Sequence, residues 1–501
     1  MTPIAAPLPA AAGPEEHHLK AGTLSLFDST MIATASVAPA YSLAATIGLL
    51  VAAVGLASPA AILVSFVPVL FIAVAYYFMN KQDPNCGASY TWISRTINPH
   101  LGWFTGWVQT AASVLFCIAA PVLAATNTLA LLNSLGWISS DAAANTTLTA
   151  AVALAWLLLV AAMVAIGIRM TANFQWVMVA IEYLLVLVFS VAAFLKIAAS
   201  HPAGSQGVSF GWFNPFSLQG VSGLAAGAVL GVFFFWGWDT AANLNEESED
   251  SRTVPGYAGI ISMFILLVIF MIASAAVQAL VPADTISKQG GNALFYFAQQ
   301  VFPAPFSYLM VLAVLASTVA TTQTTLLPAT RLTYSMARDK VFPAVFGRIH
   351  PKYQTPFLGT ILVSAVAVLG IGLTTFSSSV NTVFQGMISN IGVLIAFYYG
   401  VTGLACAWAY RKVLAERPAT LFLAGILPAL AGLFLLWIGY QVVAQALATT
   451  GLGSVLPVLI TFAIGIPLTL VAWAFNKNGF FRQPAIVYQR DPAPEEASAA
   501  G

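Results

Sequence analysis

Long apolar runs recur twelve times along this chain, and no other feature of the sequence restricts its fold as much. They fall near 31–54, 59–79, 103–132, 148–168, 174–197, 221–244, 256–281, 305–335, 356–375, 383–410, 418–446 and 454–475. About 20 apolar residues suffice to cross the hydrocarbon core of a bilayer as a helix. A backbone in lipid must satisfy its own polar groups, so runs of this length are predicted to be helical. The strands of an outer-membrane barrel would instead alternate in short segments. Only 7% of the 501 residues are charged, 59% are hydrophobic and the mean hydropathy is +0.87. A soluble chain carries about 25% charged residues. The composition therefore excludes a soluble enzyme, a nucleic-acid binder and a disordered regulator. The chain reads as an all-α polytopic membrane protein with twelve transmembrane helices.

The few charges are placed asymmetrically. An even span count puts both termini on one side. On that topology Lys196 and Lys288 are the only two of the eighteen basic residues on the far side. Asymmetry of that size follows the positive-inside rule and predicts both termini in the cytoplasm of a cell-membrane protein. Residues 1–22 and 479–501 read as cytoplasmic tails, the first disordered. Two glutamates and a single lysine within residues 1–20 do not make a signal peptide. The longest external stretches, 133–147 and 198–220, are rich in Ser, Asn, Gly and Pro and read as loops. Cys86, Cys117 and Cys406 have no CxxC spacing, which indicates neither a disulfide framework nor a metal knuckle. None of the five histidines lies inside an apolar run, and no HExxH or GxSxG pattern occurs. No enzyme chemistry, cofactor or metal is expected.

Two runs carry signals of a broken helix. The first reads Ala33-Thr34-Ala35-Ser36-Val37-Ala38-Pro39-Ala40-Tyr41, small residues interrupted by a proline that removes one helical hydrogen bond. The sixth reads Phe233-Phe234-Phe235-Trp236-Gly237-Trp238-Asp239-Thr240, a glycine wedged between tryptophans and followed by an acid. Taken singly, the first suits an ordinary proline kink and the second a packed aromatic cluster. Breaks at the first helix of each half are what inverted five-helix repeats require, because unwound segments expose backbone groups to a substrate at the midplane.

Of the seventeen acids, fifteen belong to loops, tails or helix ends. The exceptions are Glu182, in the middle of the fifth run, and Asp239. Glu182 lies thirteen residues beyond Arg169, about 20 Å along a helix. An ionised acid at that depth costs at least about 2.5–3.5 kcal/mol on insertion scales. It is expected to face the bundle interior and to be protonated or paired with a cation. No basic residue lies at similar depth, which leaves the place to a proton, a sodium ion or a cationic substrate. A protonated Glu182 hydrogen-bonded to a neighbouring helix is the structural alternative. Asp239 also suits a carboxylate at a helix start near Thr240. The acidic run 245–252, with Glu246 and Glu247, reads as a solvated loop or as a gate.

Four motifs in register resemble the amino acid–polyamine–organocation permease superfamily over residues 20–480. Lys81-Gln82-Asp83-Pro84-Asn85-Cys86-Gly87-Ala88-Ser89-Tyr90-Thr91-Trp92 resembles the family's stretch after the second helix. Leu101-Gly102-Trp103-Phe104-Thr105-Gly106-Trp107 is similar to its opening of the third. Gly237-Trp238-Asp239, followed by Glu246-Glu247 and Pro255, resembles its signature around the sixth. Arg331 through Pro343, with Ala337-Arg338-Asp339 and then Thr355-Pro356, resembles its stretch after the eighth.

The resemblance implies a LeuT-type fold. Two inverted five-helix repeats would cover 23–200 and 201–412, two further helices 413–478, and helices one and six would be broken. It also implies alternating access around those breaks. In relatives the first break reads G-S-G, and its amides hold an amino acid's carboxylate. The corresponding stretch here is Ser36-Val37-Ala38-Pro39, without glycine, which leaves the amides of Val37, Ala38 and Ala40. Proton-coupled relatives carry a lysine on the fifth helix; counted from Gly167-Ile168-Arg169, that position is Glu182, with the charge reversed. Sodium-coupled cousins use hydroxyls of the eighth helix, matched here by Thr321, Thr322, Thr324 and Thr325. Hydroxyls and carboxylates suit hard cations, and the same threonines suit interhelical hydrogen bonds.

These residues point to a proton-driven permease importing an amino acid or related amine. Substrate contacts are expected from Ser36, Val37, Ala38, Ala40, Phe233, Phe235, Trp236, Gly237 and Asp239. Coupling is expected through Glu182 with Thr321 and Thr322, with sodium as the alternative ion. Phe233 and Trp236 offer aromatic faces to an ammonium group. The runner-up is a polyamine or cationic amino-acid carrier or exchanger, favoured by the two intramembrane acids. A channel or a non-transporting nutrient sensor on the same scaffold is the alternative of another class. The expected partners are a small molecule and the bilayer, with no nucleic acid. No disulfide-linked heavy chain is expected, since 133–147 has no cysteine. The working unit is a monomer or homodimer.

Overall fold

Lipid leaves a spanning backbone little choice but helix, and the chain follows that constraint almost throughout. The structure, a computed structural model, describes residues 19, 21–166, 168–218, 220–376 and 380–488, with the side chains at 166, 168–175, 380–383 and 385 left out. Most of the tails expected over 1–22 and 479–501, together with Gly167 and the Arg169 side chain, lie outside the described residues. The first part carries α1 (Leu26–Val37), α2 (Pro39–Val54), α3 (Ser58–Gln82), α4 (Ser89–Thr96), α5 (Pro99–Ser134), α6 (Ser140–Ala143), α7 (Thr146–Ile166) and α8 (Ile168–Ser200). The middle carries α9 (Gly220–Phe234), α10 (Thr240–Asn243), α11 (Val254–Leu280), α12 (Ala283–Gln289), α13 (Ala293–Val301) and α14 (Tyr308–Arg338). Last come α15 (Phe357–Thr374), α16 (Val380–Ala409), α17 (Pro418–Thr420), α18 (Leu427–Thr449) and α19 (Leu452–Phe475). In place of a sheet, the described residues hold one isolated bridge, between Leu24 and Ser248.

Ten stretches among the described residues are long and apolar enough to cross a bilayer. The first, Leu26–Gln82, has 57 residues; as one rod it would reach about 85 Å, far beyond the ~30 Å hydrocarbon core. It is in fact three helices, interrupted at Ala38 and at Gly55–Ala57. Gly220–Phe234 is a shorter apolar helix, so the run expected as one span over 221–244 is divided by residues 235–239. The protein is an all-helical, multi-pass membrane protein. Its outer helices expose apolar side chains such as Leu184, Leu195, Leu369, Leu373 and Leu433, as lipid-facing surfaces do.

Two features were not legible in the runs. The segment 282–307 carries α12 and α13, which pack on α2 with Ile286, Leu294 and Phe297 buried. A side chain at Gly48 of α2 would lie 3.2 Å from the carbonyl oxygens of Ile286 and Gly290. The start of α1 is fixed by a capping box: Ser25 Oγ accepts from the Asp28 amide at 3.2 Å, and Asp28 Oδ2 accepts from the Ser25 amide at 3.1 Å.

Helices in lipid gain little from apolar burial against each other, so close backbone approach at small residues holds them together. The contact of α16 with α18 is built this way. A Cβ at Gly432 would meet the Gly400 carbonyl oxygen at 2.5 Å, and one at Gly403 would meet the Pro428 carbonyl oxygen at 2.5 Å. Gly432→Val should therefore cost about 1–3 kcal/mol of stability, read as a lower unfolding midpoint in detergent. Gly372→Ala, where no described residue lies within 4 Å, should leave the midpoint unchanged.

Candidate functional site

The first break is dictated by Ala38 and Pro39. Ala38 adopts left-handed angles (φ 52°, ψ 76°), and its amide closes α1 on the Thr34 carbonyl at 3.1 Å. Pro39 opens α2 with no N–H to offer. The next donors of α2 are all engaged. The Ala40 amide donates to Glu182 Oε1 at 2.7 Å, the Tyr41 amide to Ser317 Oγ at 2.9 Å, and the Ser42 amide to the Ala38 carbonyl at 2.8 Å. The amides of Ala38 and Ala40, which the sequence left available, are thus used within the chain, and Val37 is the last residue of α1. The reason is that a helix N-terminus presents unpaired amide donors, and Glu182 of α8 supplies an acceptor.

Glu182 is fully buried. Its Oε1 also accepts from the Ser317 hydroxyl at 2.8 Å, and its Oε2 has no hydrogen-bond partner among the described residues. The partner sought in the sequence as a cation is here a backbone amide and a serine. Thr321 does not bond to Glu182; its hydroxyl donates to the Ser36 carbonyl at 2.5 Å, tying α14 to the break. The Thr322 hydroxyl turns back to the Thr318 carbonyl of its own helix at 2.7 Å.

The second break meets the first. Gly237 has φ +121°, and a Cβ there would lie 2.8 Å from the Ser36 carbonyl carbon and oxygen, so only glycine fits. Ser36 Oγ and Thr240 Oγ1 are 2.9 Å apart. Asp239 Oδ2 accepts from the Tyr398 hydroxyl at 2.9 Å, and the Trp236 ring N–H donates to the same tyrosine at 2.5 Å. Between the breaks lies a cavity of about 10 Å³, lined among others by Ser36, Gln109, Ser113, Trp236, Gly237 and Asp239. That is room for about one water.

Aromatic rings pack about Trp236, which lines this cavity. Phe116 of α5 stands edge-on to Trp236 at 5.2 Å and to Tyr41 at 5.1 Å, with Phe233 6.3 Å from both Phe116 and Trp236. Phe235 points elsewhere, packing on Phe66 and Phe270. Gln109, Ser113, Phe116, Ser317 and Tyr398 were not singled out in the sequence. A lone polar or aromatic residue inside an apolar run carries no local pattern that marks it.

Residues 24–473 match the model of the amino acid permease family. The chain belongs to this family. It is a member of the amino acid–polyamine–organocation superfamily, whose members are transporters. The permease is 28% identical over 370 residues to the low-affinity putrescine importer of Escherichia coli K12, covering 71% of this chain and 74% of the relative. It is 26% identical over 395 residues to the methylthioribose transporter of Bacillus subtilis, covering 75% and 79%. It is 25% identical over 372 residues to the branched-chain amino acid permease of Lactococcus lactis, covering 72% and 76%.

Beyond the cavity, the permease is cross-linked at the end of α14 that carries the basic residues. Arg331 and Glu247 form a fully buried pair with two contacts of 3.1 Å. Arg338 holds Glu246 at 2.8 Å, and Glu246 also accepts from the Cys86 amide at 3.0 Å. The amides of Thr23 and Leu24 bond the Glu247 carbonyl. The acidic run after α10 is therefore a junction of four chain segments. Burial alone would raise the Glu246 carboxyl, but Arg338 and the Cys86 amide hold it below its ordinary value. The stabilisation is complete above the ordinary carboxylate range and is lost as pH falls through the lowered value. Toward the opposite face a cavity of about 650 Å³ opens among Thr126, Asn133, Thr149, Lys288 and Gln299.

Arg331→Ala would leave Glu247 buried without its partner, which should destabilise the protein by about 3–5 kcal/mol. Arg338→Ala, at a partly exposed pair, should cost about 1 kcal/mol or less. Thermal unfolding of the two variants in detergent checks the order.

Proposed function

We propose that this permease is a secondary active transporter that imports an amino acid or a related amine by alternating access, coupled to protons through Glu182. It works in the plasma membrane with both termini cytoplasmic. Its helices form twelve spans: inverted repeats over 23–200 and 201–412, then two helices over 413–478. In this arrangement α1 with α2, and α9 with α10, are the broken first helices of the two repeats. Substrate lies between the breaks, against Ser36, Trp236, Gly237 and Asp239, under the cover of Phe233 and Phe116. The present form is cross-linked at the cytoplasmic end by Arg331–Glu247 and Arg338–Glu246.

The observation that carries the coupling is the contact of Glu182 with the amide of Ala40 and the hydroxyl of Ser317. Ionised, this carboxylate is favoured by the N-terminal end of α2. A proton on the unpartnered Oε2 neutralises it and weakens that hold without removing either donor. Proton binding therefore biases the hinge at Ser36–Pro39, the element that substrate also biases, and two ligands acting on one equilibrium are coupled. A proton suits this geometry better than sodium, because Thr321 and Thr322 bond to carbonyls away from the carboxylate.

Glu182→Gln keeps an acceptor oxygen for Ala40 and Ser317 but cannot exchange a proton. In proteoliposomes it should abolish accumulation driven by a pH gradient while counterflow persists. Accumulation retained by the variant would remove Glu182 from the coupling step.

A further inference from the structure

We infer that the substrate is an amine carrying no carboxylate, which rests on the transport reading above and narrows it. The N-terminus of a half-helix at the midplane is where a transporter can hold a substrate's anionic group, because its amides lack partners and its dipole is positive there. In this protein that place is filled from within. Pro39 has no N–H, the Ala40 amide is held by Glu182, the Tyr41 amide by Ser317, and the Ser42 amide by the Ala38 carbonyl. A substrate carboxylate would find none of these donors, and it would approach Glu182 and Asp239.

The groups around the cavity have the opposite preference. None of its described lining residues is Lys, Arg or His. Asp239 contributes a carboxylate, and Gln109, 97% buried and lining the same cavity, has an Oε1 with no hydrogen-bond partner among the described residues. A buried acceptor without a donor is costly, and an ammonium group carries three donors. The hydroxyls of Ser36 and Ser113 add further acceptors, and the face of Trp236 can meet a cation. The donors at the start of α2 are spent within the chain, while acceptors for an ammonium are on offer.

The test uses the purified full-length chain and matched pairs, each an amino acid with its decarboxylated amine: ornithine and putrescine, arginine and agmatine, leucine and 3-methylbutylamine, phenylalanine and phenylethylamine. Ligand-induced thermal stabilisation gives apparent affinities, and uptake into proteoliposomes is measured in parallel. In every pair that binds, the amine should bind at least tenfold more tightly than the amino acid. Asp239→Asn should weaken the amine at least tenfold. Glu182→Ala frees the Ala40 amide and should bring the ratio within the pair toward one. Equal or tighter binding of the amino acid overturns the inference and leaves the transport reading standing. A ratio unmoved by Glu182→Ala also overturns it. Failure of every amine and amino acid to bind or be taken up overturns the transport reading, and the inference with it.

Discussion

A carboxylate at the centre of this bundle is tolerated because a broken helix presents its first free amide to it. The contact between Glu182 and Ala40 joins three requirements that would otherwise conflict. Lipid forbids unpaired backbone donors, and Pro39 interrupts the helix that would have paired them. An acid at the depth of Glu182 needs donors in turn. Each defect repairs the other, so α8 and the start of α2 specify one another's position. Ser317 completes the arrangement by accepting from Tyr41 and donating to Glu182, which makes α14 the third wall.

The second break is constrained by the first through sterics rather than charge. Gly237 sits where any side chain would strike the backbone of Ser36, and Thr321 grips that same carbonyl from α14. Ser36 is thus held by its hydroxyl, its carbonyl oxygen and its backbone contact with Gly237. Both breaks therefore pack on this one residue. The buried Arg331–Glu247 pair lies farther along α14, so the helix that clamps the breaks also reaches the cross-linked end.

Much of this was legible in the sequence where one strong force acts alone. The apolar runs approximate most helix bounds, since lipid solvation is uniform along a span. Pro39 and Gly237 mark their breaks because each residue has one conformational peculiarity. Legibility failed where two distant residues act together. Nothing near Ser317, Gln109 or Tyr398 distinguishes them from other polar residues in helices. Amides near Pro39 looked free because a contact 142 residues away in sequence leaves no local trace. The helices α12 and α13 escaped notice because their apolar positions are short and interrupted, although they bury Ile286 and Phe297.

The same contact bears on both halves of the proposed function. A transporter that recognises a carboxylate at a half-helix N-terminus must leave that end free and find its coupling group elsewhere. Here an internal acid takes the end, so Glu182 and the anionic part of a carboxylate substrate would compete for one amide. Coupling through Glu182 and selection against carboxylates are then one property seen from two sides. On this reading the charge reversal on α8 is a specificity device as well as a coupling device. Asp239, hydrogen-bonded to Tyr398 and lining the cavity with Gln109, remains as the acidic group that substrate itself can meet.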